Sequence, residues 1–199
     1  MPSLPGFHAK GRLLYRRPLE DLLKACYFED SGFEKNSFTV AAFVLPLYVP
    51  ADHVHMTFGK RLGAGSGTWW DYAEDKKAEI GHGVVAVILE EALPMFDRFR
   101  NARDFFAKGA SLVSNPEGVH LLEARACSAV RAGLLTDGKG VLGALEDQLA
   151  ELDTSLDYVG DIQRRSRRLR QAVEQGERAA QAVLSEWRQY TIDHLGLRD

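Results

Sequence analysis

Along most of this chain apolar residues recur every three to four positions, but between residues 38 and 61 (FTVAAFVLPLYVPADHVHMTFGKR) they run nearly unbroken and then alternate. The first pattern belongs to helices buried along one stripe, the second to strands. Within 38–49, Phe38, Val40, Ala42 and Val44 line one side while Phe43, Leu45, Leu47 and Val49 line the other, as in a strand covered on both faces. Pro46 and Pro50 bring no N–H to a ladder, so the strand is expected to bend at Pro46, to lie at an edge there, or both. Pro50-Ala51-Asp52 reads as the turn into a second strand, with Val54, Met56 and Phe58 facing inward and His53, His55 and Thr57 outward.

Upstream, residues 1–17 read as a loosely ordered arm ending in Arg16-Arg17. Pro18 then opens a short helix carrying Leu19, Leu22, Leu23 and Cys26, with Gly32 at its C-terminal end. Downstream, 59–68 (GKRLGAGSGT) is glycine-rich enough to be a mobile loop, and it leads to Trp69, Trp70 and Tyr72. Ile80, Val84, Val87, Ile88 and Ala92 set out a helix that Pro94 stops or kinks, and Asn101 is placed to cap a shorter one. An αα-hairpin follows: Leu121, Leu122, Ala126, Ala129 and Val130 on one helix ended by Gly133, a turn at Thr136-Asp137-Gly138, and Val141, Leu142, Leu145, Leu149 and Leu152 on the next. The last helix, 155–195, carries Val159, Ile162, Leu169, Val173, Ala180, Leu184 and Trp187, with Gly176 as its weak point. The expected fold is therefore α+β: a small antiparallel β-sheet packed by helices, with a helical C-terminal half containing an αα-hairpin and a long last helix. An α+β region at 1–110 and a helical region at 111–199 are expected to form one compact unit.

Composition narrows the function classes. At 199 residues, 45% hydrophobic and 27% charged, the chain has the makeup of a globular protein that buries a core. A formal net charge of -3 gives no overall basic field for nucleic acid. Cys26 and Cys127 lie about a hundred residues apart without CxxC spacing, which predicts neither a disulfide framework nor a zinc knuckle and suits a reducing, cytoplasmic setting. No apolar run is long enough to span a membrane.

Candidate chemistry is sparse. His53 and His55, two apart on one strand face, have the spacing of two ligands of one zinc or iron centre, with His82 as a conceivable third; no carboxylate or cysteine is in register with them, and a solvated sheet face explains the pair as well. Gly63, Gly65 and Gly67 match neither GxGxxG nor GxxxxGK[ST], and bulky aromatics follow where a phosphate cradle needs a helix N-terminus. Cys127 and His120 share a helix face too apolar for a reactive thiol. The arginines at 164, 165, 167, 168 and 170 are the densest local charge; they suit a solvated face or an acidic protein partner better than nucleic acid, which would need aromatics to stack on. Trp69 and Trp70, beside Lys60 and Arg61, are the best interface candidates by composition.

The order of the pieces GFEKNSF, PLYVP, FGKRL, ALPMFDRF and HLLEARACSAVRAG resembles that of the bacterial proteins grouped as domain of unknown function 4304 and their relatives. The resemblance implies an interaction or toxin-neutralising module and supplies no active-site residues. The leading expectation is thus a non-enzymatic, immunity-like or regulatory protein-binding module needing no cofactor. Its partner surface would include Trp69, Trp70, Lys60 and Arg61, aided by Arg164 and Arg168. A metal-dependent enzyme using His53 and His55, and a nucleic-acid binder using the arginine-rich helix, are the alternatives.

Overall fold

The first strong alternation of the chain, Leu13 and Tyr15 buried between more exposed neighbours, marks a strand where a loosely ordered arm is expected. In the computed structural model, which describes residues 4–63, 67–153 and 155–198, β1 (Phe7–Lys10) and β2 (Leu13–Arg16) form a hairpin with Phe7 opposite Arg16 and Lys10 opposite Leu13. The short helix predicted after Pro18 is also a strand. β3 (Leu22–Asp30) pairs antiparallel with β2, Leu14 opposite Cys26. Leu22, Leu23, Ala25 and Cys26 are all buried, so both faces of β3 are covered, and a doubly covered strand loses the alternation that separates it from a helix.

β4 (Ser37–Pro46) follows through a six-residue turn and is the central strand, buried almost throughout, as the unbroken apolar run predicted. The strands run in the order β1-β2-β3-β4-β5, and the far edge of β4 is shared by two three-residue strands. β5 (Gly59–Arg61) pairs with Ala41–Phe43, and β6 (Trp69–Asp71) pairs with Ser37–Thr39, both antiparallel. The second strand predicted at 54–58 is therefore displaced: 51–58 is not strand, and pairing begins only at Gly59. At that residue a Cβ would lie 2.3 Å from the Ala42 carbonyl oxygen and 2.6 Å from Phe43 Cβ, so only glycine brings β5 this close to β4. The mobile loop expected at 59–68 thus begins and continues as paired chain on either side of residues 64–66, which lie outside the described residues.

After Asp71 the described chain is helical. α1 (Lys77–Val87) runs through a π-helical turn, Ile88–Ala92, into α2 (Leu93–Arg98). Pro94 was expected to stop or kink the helix. The wide turn lets the helix continue instead: the Leu93 N–H donates to the Ile88 carbonyl, five residues back, just before the residue that has no N–H to give. α3 (Ala102–Lys108) is capped as predicted, the Asp104 N–H donating to Asn101 Oδ1 at 3.0 Å.

α4 (Val119–Arg131) and α5 (Leu135–Ala150) form the predicted αα-hairpin. Its turn is 132–134; Thr136-Asp137-Gly138 lies inside α5, where Gly138 faces Val130. The expected last helix is two, α6 (Asp157–Gln175) and α7 (Glu177–Leu195), parted at Gly176, whose φ of 114° is a conformation an L side chain resists. Val119, Leu145, Leu149, Val159 and Ile162 make one core cluster, with Leu122 and Leu152 against it. The architecture is α+β, as predicted, with a larger sheet than the two strands anticipated.

Two compact units result. One holds the described residues up to Leu45 together with His55–Arg100; the other holds Pro46–Val54 and Asn101–Arg198. In the second, residues just after β4 are fixed by two buried hydroxyls: Tyr48 and Ser128 share a hydrogen bond of 2.7 Å, and Thr191 Oγ1 accepts from the Ala51 N–H and donates to the Val49 carbonyl, each at 3.2 Å.

Candidate functional site

β6 sits at the rim of the sheet because its short ladder covers only the first residues of β4, leaving its outer side to solvent. Strand alternation then sends the two tryptophans to opposite faces. Trp69 is 46% exposed and lies under the Arg61 guanidinium, 5.7 Å from the ring centre. Trp70 turns inward, stacks on Phe38 at 6.3 Å, and lies so close to Gly83 that a Cβ there would be 3.0 Å from its ring. Its buried indole N–H has no hydrogen-bond partner among the described residues. Of the pair proposed as docking residues, one is presented and the other forms part of the packing.

The most exposed aromatic among the described residues is one that the sequence patterns do not single out. Phe33, at the tip of the β3–β4 turn, is fully exposed at 101%. Ser31 Oγ organises that turn by accepting from the N–H groups of Phe33 and Glu34, at 3.2 and 3.0 Å. The turn is tied to the end of β6 by the Tyr72 N–H, which donates to the Asn36 carbonyl at 2.6 Å, and Ser37 Oγ donates to Asp71 at 2.7 Å. Tyr72 is itself 38% exposed, its hydroxyl bonded to Glu74. That bond pushes the Tyr72 hydroxyl above its ordinary pKa and holds the Glu74 carboxyl below its own. Phe33, Trp69 and Tyr72 therefore stand on one tethered end of the sheet. The signal available in the sequence was the turn composition Ser31-Gly32 and Lys35-Asn36 between two apolar runs, which places Phe33 at a hairpin tip.

Lys60 and Arg61 flank this end but are already engaged. Lys60 reaches Glu91 at 2.5 Å, and the same carboxylate accepts the Gly63 N–H at 3.1 Å. The hydrogen bond from Lys60 is the main reason the Glu91 carboxyl is held below the ordinary glutamate range. Arg61 pairs with Glu29 at 3.1 Å.

The arginine-rich helix turns out to be an internal ion-pairing surface. Arg165 forks onto Glu123 at 2.6 and 3.0 Å, and Glu123 is almost wholly buried on α4. Arg170 pairs with Glu146 of α5 at 2.7 Å. Arg168 grips Glu186 of α7, one contact measuring 3.0 Å, and lies over Trp187. Arg164 pairs with Asp161. Four of the five charges in the run are thus neutralised by carboxylates, three of them from other helices.

The metal reading loses its geometry. His53 and His55 are not on a strand face: His53 Nδ1 meets its neighbour Asp52 at 2.5 Å, and His55 Nδ1 meets Thr57 at 3.1 Å. His82 is exposed on α1. Among the described residues, no group of three or more His, Cys, Asp and Glu side chains could hold a metal ion. Both thiols are buried, and burial pushes Cys26 up to about 12 and Cys127 well above its ordinary value, so neither presents a thiolate. The His120 ring packs on Tyr158 at 5.5 Å. No described helix is long and apolar enough to cross a membrane. Comparison with family models, with curated proteins and with solved structures finds no match.

Proposed function

We propose that this protein is a non-enzymatic protein-binding module, of the immunity-like or regulatory kind, that docks its partner on the sheet end carrying Phe33, Trp69 and Tyr72. One observation carries the reading: a phenylalanine held fully in solvent by a hydrogen-bonded turn that is tied to the strand end bearing two further exposed aromatics. A side chain of this size contributes to stability only when covered, and an anchor aromatic on a rigid tip is what a binding surface needs. The tip projects, so the matching surface is a concave apolar pocket on another protein. Its rim would carry mixed charge, to meet Lys35 and Glu34 on the turn and the Arg61–Glu29 pair beside Trp69. The resemblance to the domain of unknown function 4304 group is compatible with this role and adds no residue to it.

A photo-crosslinking phenylalanine analogue at position 33 tests the proposal in cells of the source organism. The expected result is one dominant protein adduct that disappears when Trp69→Ala is added, while the same analogue at Tyr158, an exposed aromatic of the helical unit, does not yield it. Identical adducts from both positions, or none from position 33, would overturn the assignment.

A further inference from the structure

Away from the aromatic end, the sheet unit contains a cleft of about 430 Å3 lined by Arg16, Arg17, Leu22, Lys24, Asp97 and Arg100, with Pro18 and Glu20 at its margin. Its size lies within the roughly 300–1,000 Å3 typical of small-molecule sites. Four basic side chains face two acidic ones across it, a local excess of positive charge in a chain whose formal net charge is -3. The cations come from different directions: Arg16 from the end of β2, Arg17 from the turn after it, Lys24 from β3, and Arg100 from beyond α2.

Arg17 is the informative member. Arg16 pairs with Asp97 at 2.7 Å, whereas the Nε–H of Arg17 has no hydrogen-bond partner among the described residues. That Nε is buried, and the guanidinium lies 5.8 Å from the centre of the Tyr15 ring. A buried guanidinium N–H without a partner is costly in a folded protein unless something else supplies the acceptor. Elsewhere in this chain the half-buried Arg165 receives a full carboxylate fork.

We infer that this cleft is a binding site for a small phosphate monoester, with the phosphate seated against Arg17 and ringed by Lys24 and Arg100. A planar carboxylate is met best by one arginine fork in its own plane, but donors converging from several elements match the tetrahedral oxygens of a phosphate.

Calorimetric titration of the full chain at low ionic strength decides the matter, using inorganic phosphate, ribose 5-phosphate and succinate as probes. The expected result is one site for both phosphates, with succinate binding at least about tenfold more weakly. Arg17→Gln should weaken phosphate binding about tenfold or more, as loss of a charge-assisted contact predicts. Arg100→Gln should weaken it severalfold and provides the readout should Arg17→Gln fail to fold. Arg103→Gln, on the exposed face of α3, should leave binding unchanged. Absence of phosphate binding, succinate binding as tightly as phosphate, or an equal loss in Arg103→Gln would each overturn the inference.

Discussion

The arginines of α6 and those around Arg17 are the two basic concentrations of the molecule, and they have opposite fates. In α6 the run is conspicuous along the sequence, yet helices α4, α5 and α7 bring Glu123, Glu146 and Glu186 to meet it. Near Arg17 only two arginines are adjacent in sequence, yet the fold adds Lys24 and Arg100 and buries the Arg17 Nε–H with no hydrogen-bond partner among the described residues. Charge density along a chain therefore says little about availability. What matters is whether the elements packed alongside bring opposite charge.

That contrast is broken most severely at Glu123. Glu123→Gln would leave Arg165 half-buried and unpaired, and the helical unit should lose about 3–5 kcal/mol of stability in chemical denaturation. A loss below about 1 kcal/mol would mean the pair is a surface contact like its neighbours. In the sheet unit the largest effect should come from Gly59→Ala, which drives a methyl into the Ala42 carbonyl and should cost about 1–3 kcal/mol. It should also release Lys60 and Arg61 from their positions, seen as faster amide exchange across β5. Arg168→Gln removes an exposed pair and should cost no more than about 1 kcal/mol, with the difference shrinking as salt is added.

The smallest effect concerns acid. The Lys60 contact holds the Glu91 carboxyl below its ordinary value of 4.5, so its contribution to stability is complete above that pH and is lost as pH falls through the lower folded value. Lys60→Gln should flatten this part of the acid dependence in denaturant melts between about pH 6 and pH 3. An unchanged slope would show that the contact is too solvent-screened to register.

How far the chain could be read in advance follows from which patterns survive burial. The helical hairpin was legible chiefly through α5, which buries the single stripe Gly138, Leu142, Leu145 and Leu149 and so preserves the period of a helix; α4 is buried on more than one face, from Ala126 to Val130 without a break. β4 was legible because its apolar run is too continuous for anything exposed. β3 was not, because Leu19, Leu22, Leu23 and Cys26 fit a helical spacing equally well when both strand faces are covered. β5 and β6 were missed because three residues are too few to show alternation, and with them went the opposed orientation of Trp69 and Trp70. Three of the four partners of the arginine run lie 18 to 42 residues away in the chain, beyond any local pattern; only Asp161, beside Arg164, is near. Phe33 and Arg17 stand out only once their surroundings are known: one for having no cover, the other for a buried Nε–H with no hydrogen-bond partner among the described residues.

Pro46–Val54 has a consequence for dissecting the molecule. Although synthesised ahead of most of the sheet unit's helices, this stretch belongs with residues 101–198, where Tyr48 and Ala51 hold Ser128 and Thr191. A cut at the peptide bond after Arg100 would separate the two halves of the sequence without separating the two halves of the structure. The C-terminal fragment would carry an open slot shaped for a nine-residue peptide, and a synthetic 46–54 segment added in trans should restore its cooperative melting.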